Sequence, residues 1–331
     1  PKVTKYIQPK CFVFTNIFRD QMDRYGEIYT TYDFIVKGAA QAKDALILAN
    51  GDSPIFNSVE TVNPRKYYGF AHSNDEDLLA HYNTEGILCP NCQSILHYHS
   101  QTYANLGDYF CPTCGFSRPK LDAEVTRMIE QKASSSKFEI DGFPVNIEIG
   151  GLYNVYNALA AASVAKHYGV GQESIQKGLA AGEAVFGRQE TFSIGGKHCT
   201  LVLVKNPVGT NQVIDMIGLT KGDFTLVSLL NANYADGIDT SWIWDANYEH
   251  FSQMNVSKVI AGGVRHAEMG RRLRVAGIPT ECITEVEDDF EELVEEIKNS
   301  TSDQVFILAT YTAVLNLRKH LAEKKIIKGG M

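Results

Sequence analysis

Two cysteine pairs of identical spacing, Cys89-Pro90-Asn91-Cys92 and Cys111-Pro112-Thr113-Cys114, constrain this chain more than any other feature. Cysteines separated by two residues sit on a tight turn that points both sulfurs at one centre. Two such turns close a tetrahedral site, which suits zinc. The set Cys89, Cys92, Cys111 and Cys114 leaves no open coordination position. The metal is therefore read as structural zinc in a ribbon, against a redox dithiol or a chance pairing of the cysteines. Three further cysteines, Cys11, Cys199 and Cys282, are scattered. So sparse a set forms no disulfide framework and fits a reducing cytoplasm.

The rest of the chain is an ordinary globular sequence. At 331 residues, 44% hydrophobic and 21% charged, it has room for two domains. A net charge of −8 argues against a nucleic-acid surface, and no nucleic-acid partner is expected. No apolar run reaches membrane-spanning length, and the start carries no signal-peptide pattern.

Cys11–Thr15 reads as a buried strand, residues 31–43 as a helix and Asp44–Asn50 as the next strand. Strand, helix, strand is the α/β rhythm with parallel strands. Residues of about 85–119 form the ribbon insertion, 137–149 alternate as β structure, and 153–168 and 172–181 read as helices. After Gly187 a second α/β domain begins. Its apolar strands are 200–205, 224–230, 257–261 and 305–309, with helices at 266–276 and 290–299. The acidic run 285–296 reads as a solvated helix face.

Five polar stretches could carry chemistry. Thr15, Asn16 and the Asp and Arg residues up to Gly26 follow a strand directly, where open α/β sheets collect ligands. A helix cap would use the same residues. Asn154 and Asn157, three apart at the start of an Ala-rich helix, share a face suited to an adenine edge, or simply cap the helix. Arg188 at the domain junction suits a phosphate or ribose, or a surface salt bridge. Residues 205–212 make a polar loop or a helix-initiating turn. Residues 231–245 follow a strand and hold both tryptophans, Trp242 and Trp244, with Asp236, Asp239 and Asp245. Tryptophan beside aspartate in such a loop reads as a partner-facing surface rather than a plain Asx-turned connector.

Taken together these stretches resemble the MurT family, the Mur-ligase-like subunits of lipid II isoglutaminyl synthase. Residues 15–26 are similar to the Mur ligase central-domain signature, 151–157 to the Mur asparagine helix, and Gly187-Arg188 to the start of the Mur C-terminal domain. The cysteine ribbon and the tryptophan loop resemble features particular to MurT-like proteins. The resemblance implies a partial Mur ligase central domain over 1–186, carrying the zinc ribbon, and a Rossmann-like C-terminal α/β domain over 187–331.

It also implies a reaction: ATP- and Mg2+-dependent amidation of the D-glutamate α-carboxylate in the lipid II stem peptide. An acyl phosphate forms and is attacked by ammonia from a GatD-like glutaminase partner in a heterodimer. Contact with the membrane-bound substrate is peripheral. Thr15, Asn16, Asn154, Asn157 and Arg188 inherit contacts to the nucleotide and its metal. Asp239, with Asp236 and Asp245 as reserves, inherits the carboxylate that completes the partner's triad. Two departures stand out. Gln21 occupies a position where Mur ligases have His, and no G-x-x-x-x-G-K-[ST] phosphate loop occurs, so an N-terminally truncated product is expected. The competing implications are a non-catalytic docking subunit and an amino-acid-adding Mur ligase.

Overall fold

The computed structural model describes residues 2–20, 26–73, 75–80, 86–182 and 188–327; the side chain of Arg188 is not among what it describes. Gln21 and Gly187 lie outside the described residues. The chain divides into two compact units, one of residues 1–131 with 135–182, the other of 132–134 with 183–331.

Unit 1 opens with strand β1 (Cys11–Phe14), helix α1 (Ile28–Ala39), β2 (Leu46–Asn50) and β3 (Arg65–Phe70). An insertion follows, of β4 (Leu78–Leu79), β5 (His97–Tyr103) and β6 (Leu106–Phe110). The main sheet resumes with β7 (Ala123–Gln131), β8 (Ser136–Ile140) and β9 (Phe143–Ile147), then helices α2 (Leu152–His167) and α3 (Gln172–Ala180). The sheet order is β1-β2-β3-β7-β8-β9, with the first four strands parallel, β8 antiparallel to β7, and β9 antiparallel to β8 and so running with the first four. β2 is buried at every position, as expected of a strand covered on both faces. β1 is not the buried strand its sequence suggests. It lies at the sheet edge, and Val13 is exposed. Helix α1 starts and ends earlier than its pattern suggests, because Tyr32 and Ala39 turn inward to pack on Phe14 and Phe56. The insertion forms its own three-stranded antiparallel sheet, which begins at Leu78, ahead of the segment read from the cysteines.

Unit 2 runs β10 (Arg188–Ile194), β11 (Lys197–Leu203), α4 (Pro207–Gly218), β12 (Phe224–Leu229), β13 (Val256–Gly262), α5 (His266–Val275), β14 (Ile283–Glu285), α6 (Phe290–Lys298), β15 (Gln304–Ala309) and α7 (Tyr311–Glu323). Its sheet order is β10-β11-β15-β12-β13-β14, parallel except for β10. One face packs on α4, the segment after β12 and α5, through Ile214, Tyr248, Phe251 and Leu273. The other packs on α6 and α7 through Leu293, Ile297, Val314 and Leu317. The acidic helix α6 is thus amphipathic, its carboxylates outward and Leu293, Val294 and Ile297 buried. The polar stretch 205–212 is a helix start: Asn206 accepts the Gly209 amide and Pro207 takes the first helical position. β12 and β15 are neighbours whose outgoing connections leave on opposite faces, which makes their C-terminal ends the switch point of the sheet.

Candidate functional site

The four ribbon cysteines converge. Their sulfurs all lie within 4.8 Å of one another, with Cys89 Sγ to Cys114 Sγ and Cys92 Sγ to Cys111 Sγ each 3.5 Å. Four sulfurs at zinc-bond length around one ion sit about 3.8 Å apart, so the set is sized for a metal of that kind. The two turns are built alike. The amides of Cys89 and Cys111 donate to the carbonyls of Ser94 and Phe116, and the amides of Gln93 and Gly115 return to the carbonyls of Cys89 and Cys111. Gln93 and Gly115, one after each pair, both take positive φ, +62° and +76°. Cys89 and Cys111 are buried while Cys114 is exposed, so the site is closed from within and reachable from outside.

Beside the ribbon, the C-terminal ends of β2 and β3 hold a chain of buried charge that the sequence reading did not identify. Asp52 is fully buried. It accepts from Arg118 Nη1 at 2.8 Å, Tyr156 Oη at 2.7 Å and the Phe70 amide at 2.8 Å. Arg118 also meets the Phe70 carbonyl at 2.6 Å and Asp108 at 3.0 Å. Asp108 in turn pairs with His72 Nδ1 at 2.5 Å. Burial pushes the Asp52 carboxyl above the usual range, against Arg118 and the hydroxyl of Tyr156, which hold it down. Gly69 has to be glycine here, because a Cβ would lie 2.4 Å from Asp52 Oδ1. The ribbon is therefore bolted to the sheet by a buried ion pair, helped by the Gly107 amide donating to the Asp52 carbonyl.

Four of the five proposed nucleotide residues, Thr15, Asn16, Asn154 and Asn157, lie in unit 1. Thr15 and Asn16 are exposed just past β1, and the Thr15 carbonyl accepts the Asn50 amide side chain at 3.1 Å. Asn154 is buried, and its amide group donates to the Gly150 carbonyl at 2.7 Å. Gly151, not Asn154, holds the capping position of α2. Asn157 is half-buried and donates to Asn154 Oδ1 at 3.4 Å. Asn154 thus shapes the helix start, while Thr15 and Asn16 stay open to a ligand. The backbone of Arg188 opens β10 in unit 2.

In unit 2 the tryptophan loop follows β12. Asp236 is buried and spent on structure. Its oxygens take the Thr312 amide and hydroxyl, each at 2.6 Å, and the Asn233 amide at 3.0 Å. This ties the loop to the start of α7. Asp239 is exposed, and its carboxylate accepts the Ser241 amide at 2.8 Å. The Ser241 amide and hydroxyl hold the Asp239 carboxyl below the usual range, so it is an ionised carboxylate at the surface. Around it Tyr234, Ile238 and Trp244 are 72%, 65% and 44% exposed. Trp242 instead packs on the core. Asp245 is exposed on the next turn. Cys199 is buried, which pushes its thiol up to about 12 and leaves no nucleophile there.

Residues 203–314 match the family model described as MurT ligase C-terminal. The chain is 53% identical over 330 residues to the lipid II isoglutaminyl synthase (glutamine-hydrolyzing) subunit MurT of Streptococcus pneumoniae strain R6, covering 100% of this chain and 74% of that protein. The chain belongs to the MurT family. It is 34% identical over 292 residues to the MurT subunit of Staphylococcus aureus strain COL, spanning 86% of this chain and 64% of that one. Among solved structures it is similar to a pseudomurein peptide ligase type C from Methanothermus fervidus, with TM-score 0.69 and 21% identity over 98% of this chain and 65% of that one. A MurF ligase from Thermotoga maritima, solved in complex with ADP, matches with TM-score 0.60 and 13% identity over 98% of this chain and 64% of that one. These two likenesses show the Mur ligase fold.

Within this MurT-family chain, sequence reasoning missed Asp52, Arg118 and Tyr156, and also Glu268 and Arg272, which grip the tryptophan loop. The i, i+4 spacing of Glu268 and Arg272 on a helix was the one local sign available.

Proposed function

We propose that the chain is the greater part of an ATP-dependent carbon–nitrogen ligase subunit of peptidoglycan synthesis. It acts with a separate glutaminase of the GatD kind. In the complete enzyme the D-glutamate α-carboxylate of lipid II is activated as an acyl phosphate at the expense of ATP, with Mg2+, and ammonia displaces the phosphate. Thr15 and Asn16 are read as meeting the nucleotide's phosphates and metal, a reading supported by their exposure just past β1. Asn154 acts at one remove, by fixing the start of α2, and Asn157 and Arg188 are kept as contacts to the nucleotide. Cys89, Cys92, Cys111 and Cys114 would hold zinc, which supplies a structural cross-link and no open position for chemistry.

The observation that carries this reading is Asp239: an exposed, ionised carboxylate amid exposed Tyr234, Ile238 and Trp244. Brought against a partner's histidine, such a carboxylate holds the imidazole in the working tautomer and steadies the imidazolium. Asp236 is unsuited to that task because its oxygens are occupied inside the unit. The test is glutamine hydrolysis by the reconstituted complex carrying Asp239→Asn. A fall in kcat of about 10³-fold or more with the complex intact supports the role, and unchanged hydrolysis removes Asp239 from it. Asp245→Asn is expected to leave the rate within a few-fold.

A docking subunit that only completes the glutaminase is the second reading, because everything that presents Asp239 lies within unit 2. Mg2+-dependent ATP turnover coupled to amidation separates the two. The names of the relatives weigh against an amino-acid-adding ligase, and a comparison of ammonia with free amino acids as acceptors checks it.

A further inference from the structure

Asp239 lies between two anchors that come from different helices. Three residues before it, Asp236 is locked onto Thr312 at the start of α7. Gly237, with φ +93°, then turns the chain outward. One residue after Asp239, buried Thr240 donates its hydroxyl to Glu268 Oε1 of α5 at 2.9 Å. Glu268 is itself steadied by Arg265, whose Nε reaches Oε2 at 2.7 Å.

One helical turn further along the same face of α5 is Arg272, only 2% exposed. Its Nε donates to the Ile243 carbonyl at 2.9 Å, and Nη2 donates to the Ala246 carbonyl and Glu249 Oε2, each at 2.8 Å. Its guanidinium also lies 5.4 Å from the Trp244 ring centre and 5.3 Å from that of Tyr248. A planar cation with a fork of donors can hold two carbonyls and two rings at once, which a lysine could not.

We propose that Glu268, acting through Thr240, is a positioning residue for Asp239, with Arg272 as the platform beneath the following turn. This rests on the reading of Asp239 given above and deepens it: α5 sets how well the loop's carboxylate meets the partner's imidazole. An unanchored loop would have to be ordered when the partner docks, at a cost in conformational entropy. A carboxylate misplaced by about 1 Å forfeits much of its effect on the rate. Anchors on both sides remove both losses. Exposed Tyr234 and Ile238 contribute area for docking.

The test uses the full chain in complex with its glutaminase partner. Thr240→Val keeps the shape and deletes the donor, while Thr240→Ser keeps the hydroxyl. Glu268→Ala deletes the acceptor, while Glu268→Gln keeps a carbonyl oxygen in its place. Thr240→Val and Glu268→Ala are expected to lower kcat for glutamine hydrolysis about tenfold. KM for glutamine, affinity for the partner and Tm should hold. Thr240→Ser and Glu268→Gln should stay within about threefold of the parent. The double variant Asp239→Asn with Thr240→Val should be no slower than Asp239→Asn alone, because both act on one group.

Full activity in Thr240→Val and Glu268→Ala overturns the proposal, as does a double variant that multiplies both losses. If Thr240→Val does not fold, the contrast between Glu268→Ala and Glu268→Gln decides alone: equal rates overturn the proposal. The underlying reading fails separately, through an unaffected Asp239→Asn, in which case the Thr240 and Glu268 variants are expected to be silent.

Discussion

Replacing Arg118 by methionine would strip the countercharge from a carboxylate that water cannot reach. Asp52 is fully buried, and the Arg118 side chain is 9% exposed. Methionine fills much of the same volume, so the cost is chiefly electrostatic. Asp52 keeps the Tyr156 hydroxyl and the Phe70 amide, whereas Asp108 keeps only His72 among its ion-pair partners in the described residues. Breaking a buried pair from one side costs about 3–5 kcal/mol. For a unit of this size each kcal/mol moves Tm by about 2–4 °C, so a fall of about 6–20 °C follows for unit 1. Hydrogen exchange read peptide by peptide is the better assay, because it separates the two units. Protection of β2 and β3 should fall by the full amount, and that of β12 and β13 should not move. Asp52→Asn on top of Arg118→Met should restore a large part of the loss, since the stranded charge is then gone. A loss below about 1 kcal/mol in Arg118→Met, or a double variant weaker than the single, would refute the reasoning.

Removing the metal by chelation, or replacing Cys111 with serine, should abolish one bound zinc by native mass spectrometry and raise exchange across 78–118, with β11 to β15 unchanged. The His72 tether should depend on pH. Its hydrogen bond to Asp108 and then that to Asp75 raise the imidazole above its usual value. A group whose pKa is raised by folding stabilises fully below the unfolded value of about 6.5 and loses that contribution as pH climbs through the folded value. The Tm gap between the parent and His72→Gln should therefore be widest below the unfolded value of about 6.5 and narrow as pH rises above it. A gap that widens with pH would contradict the assignment.

What the sequence showed and what it hid follow from the range of the interactions. The ribbon was legible because its ligand turns are local, two residues between cysteines, and the central strands of unit 2 because buried parallel strands read as unbroken apolar runs. β3 and β7 escaped notice: Arg65–Phe70 and Ala123–Gln131 are half-exposed and mix charged with apolar residues. The start of α4 was ambiguous because Asn206 and Pro207 serve a loop and a helix cap equally well until the structure chooses. The Asp52 chain could not be read at all. Its members stand at 52, 70, 108, 118 and 156, and only a folded sheet brings them together. Arg272 was hidden differently. It sits beside Arg271 and Arg274 in a helix whose pattern looks solvated, and only its contacts show that this one arginine faces inward.

Strand order explains why unit 2 presents a carboxylate. In a doubly wound sheet the crevice at the switch point ordinarily takes a ligand. Here that position, past the ends of β12 and β15, is filled by the chain itself. Asn231, Thr310 and Asp236 are 1%, 2% and 5% exposed. The Asn231 amide donates to Thr310 Oγ1 at 2.9 Å, its side chain to Thr312 Oγ1 at 3.0 Å, and Thr312 closes onto Asp236. A ligand would have to displace four mutually satisfied polar groups, each costly to leave unpaired. The crevice is thus converted into a rigid foot, and the loop rising from it carries Asp239 outward. Asp236 and Asp239, three residues apart and chemically identical, are set apart by that geometry: one is consumed in closing the sheet's own cleft, while the other is left exposed at the surface.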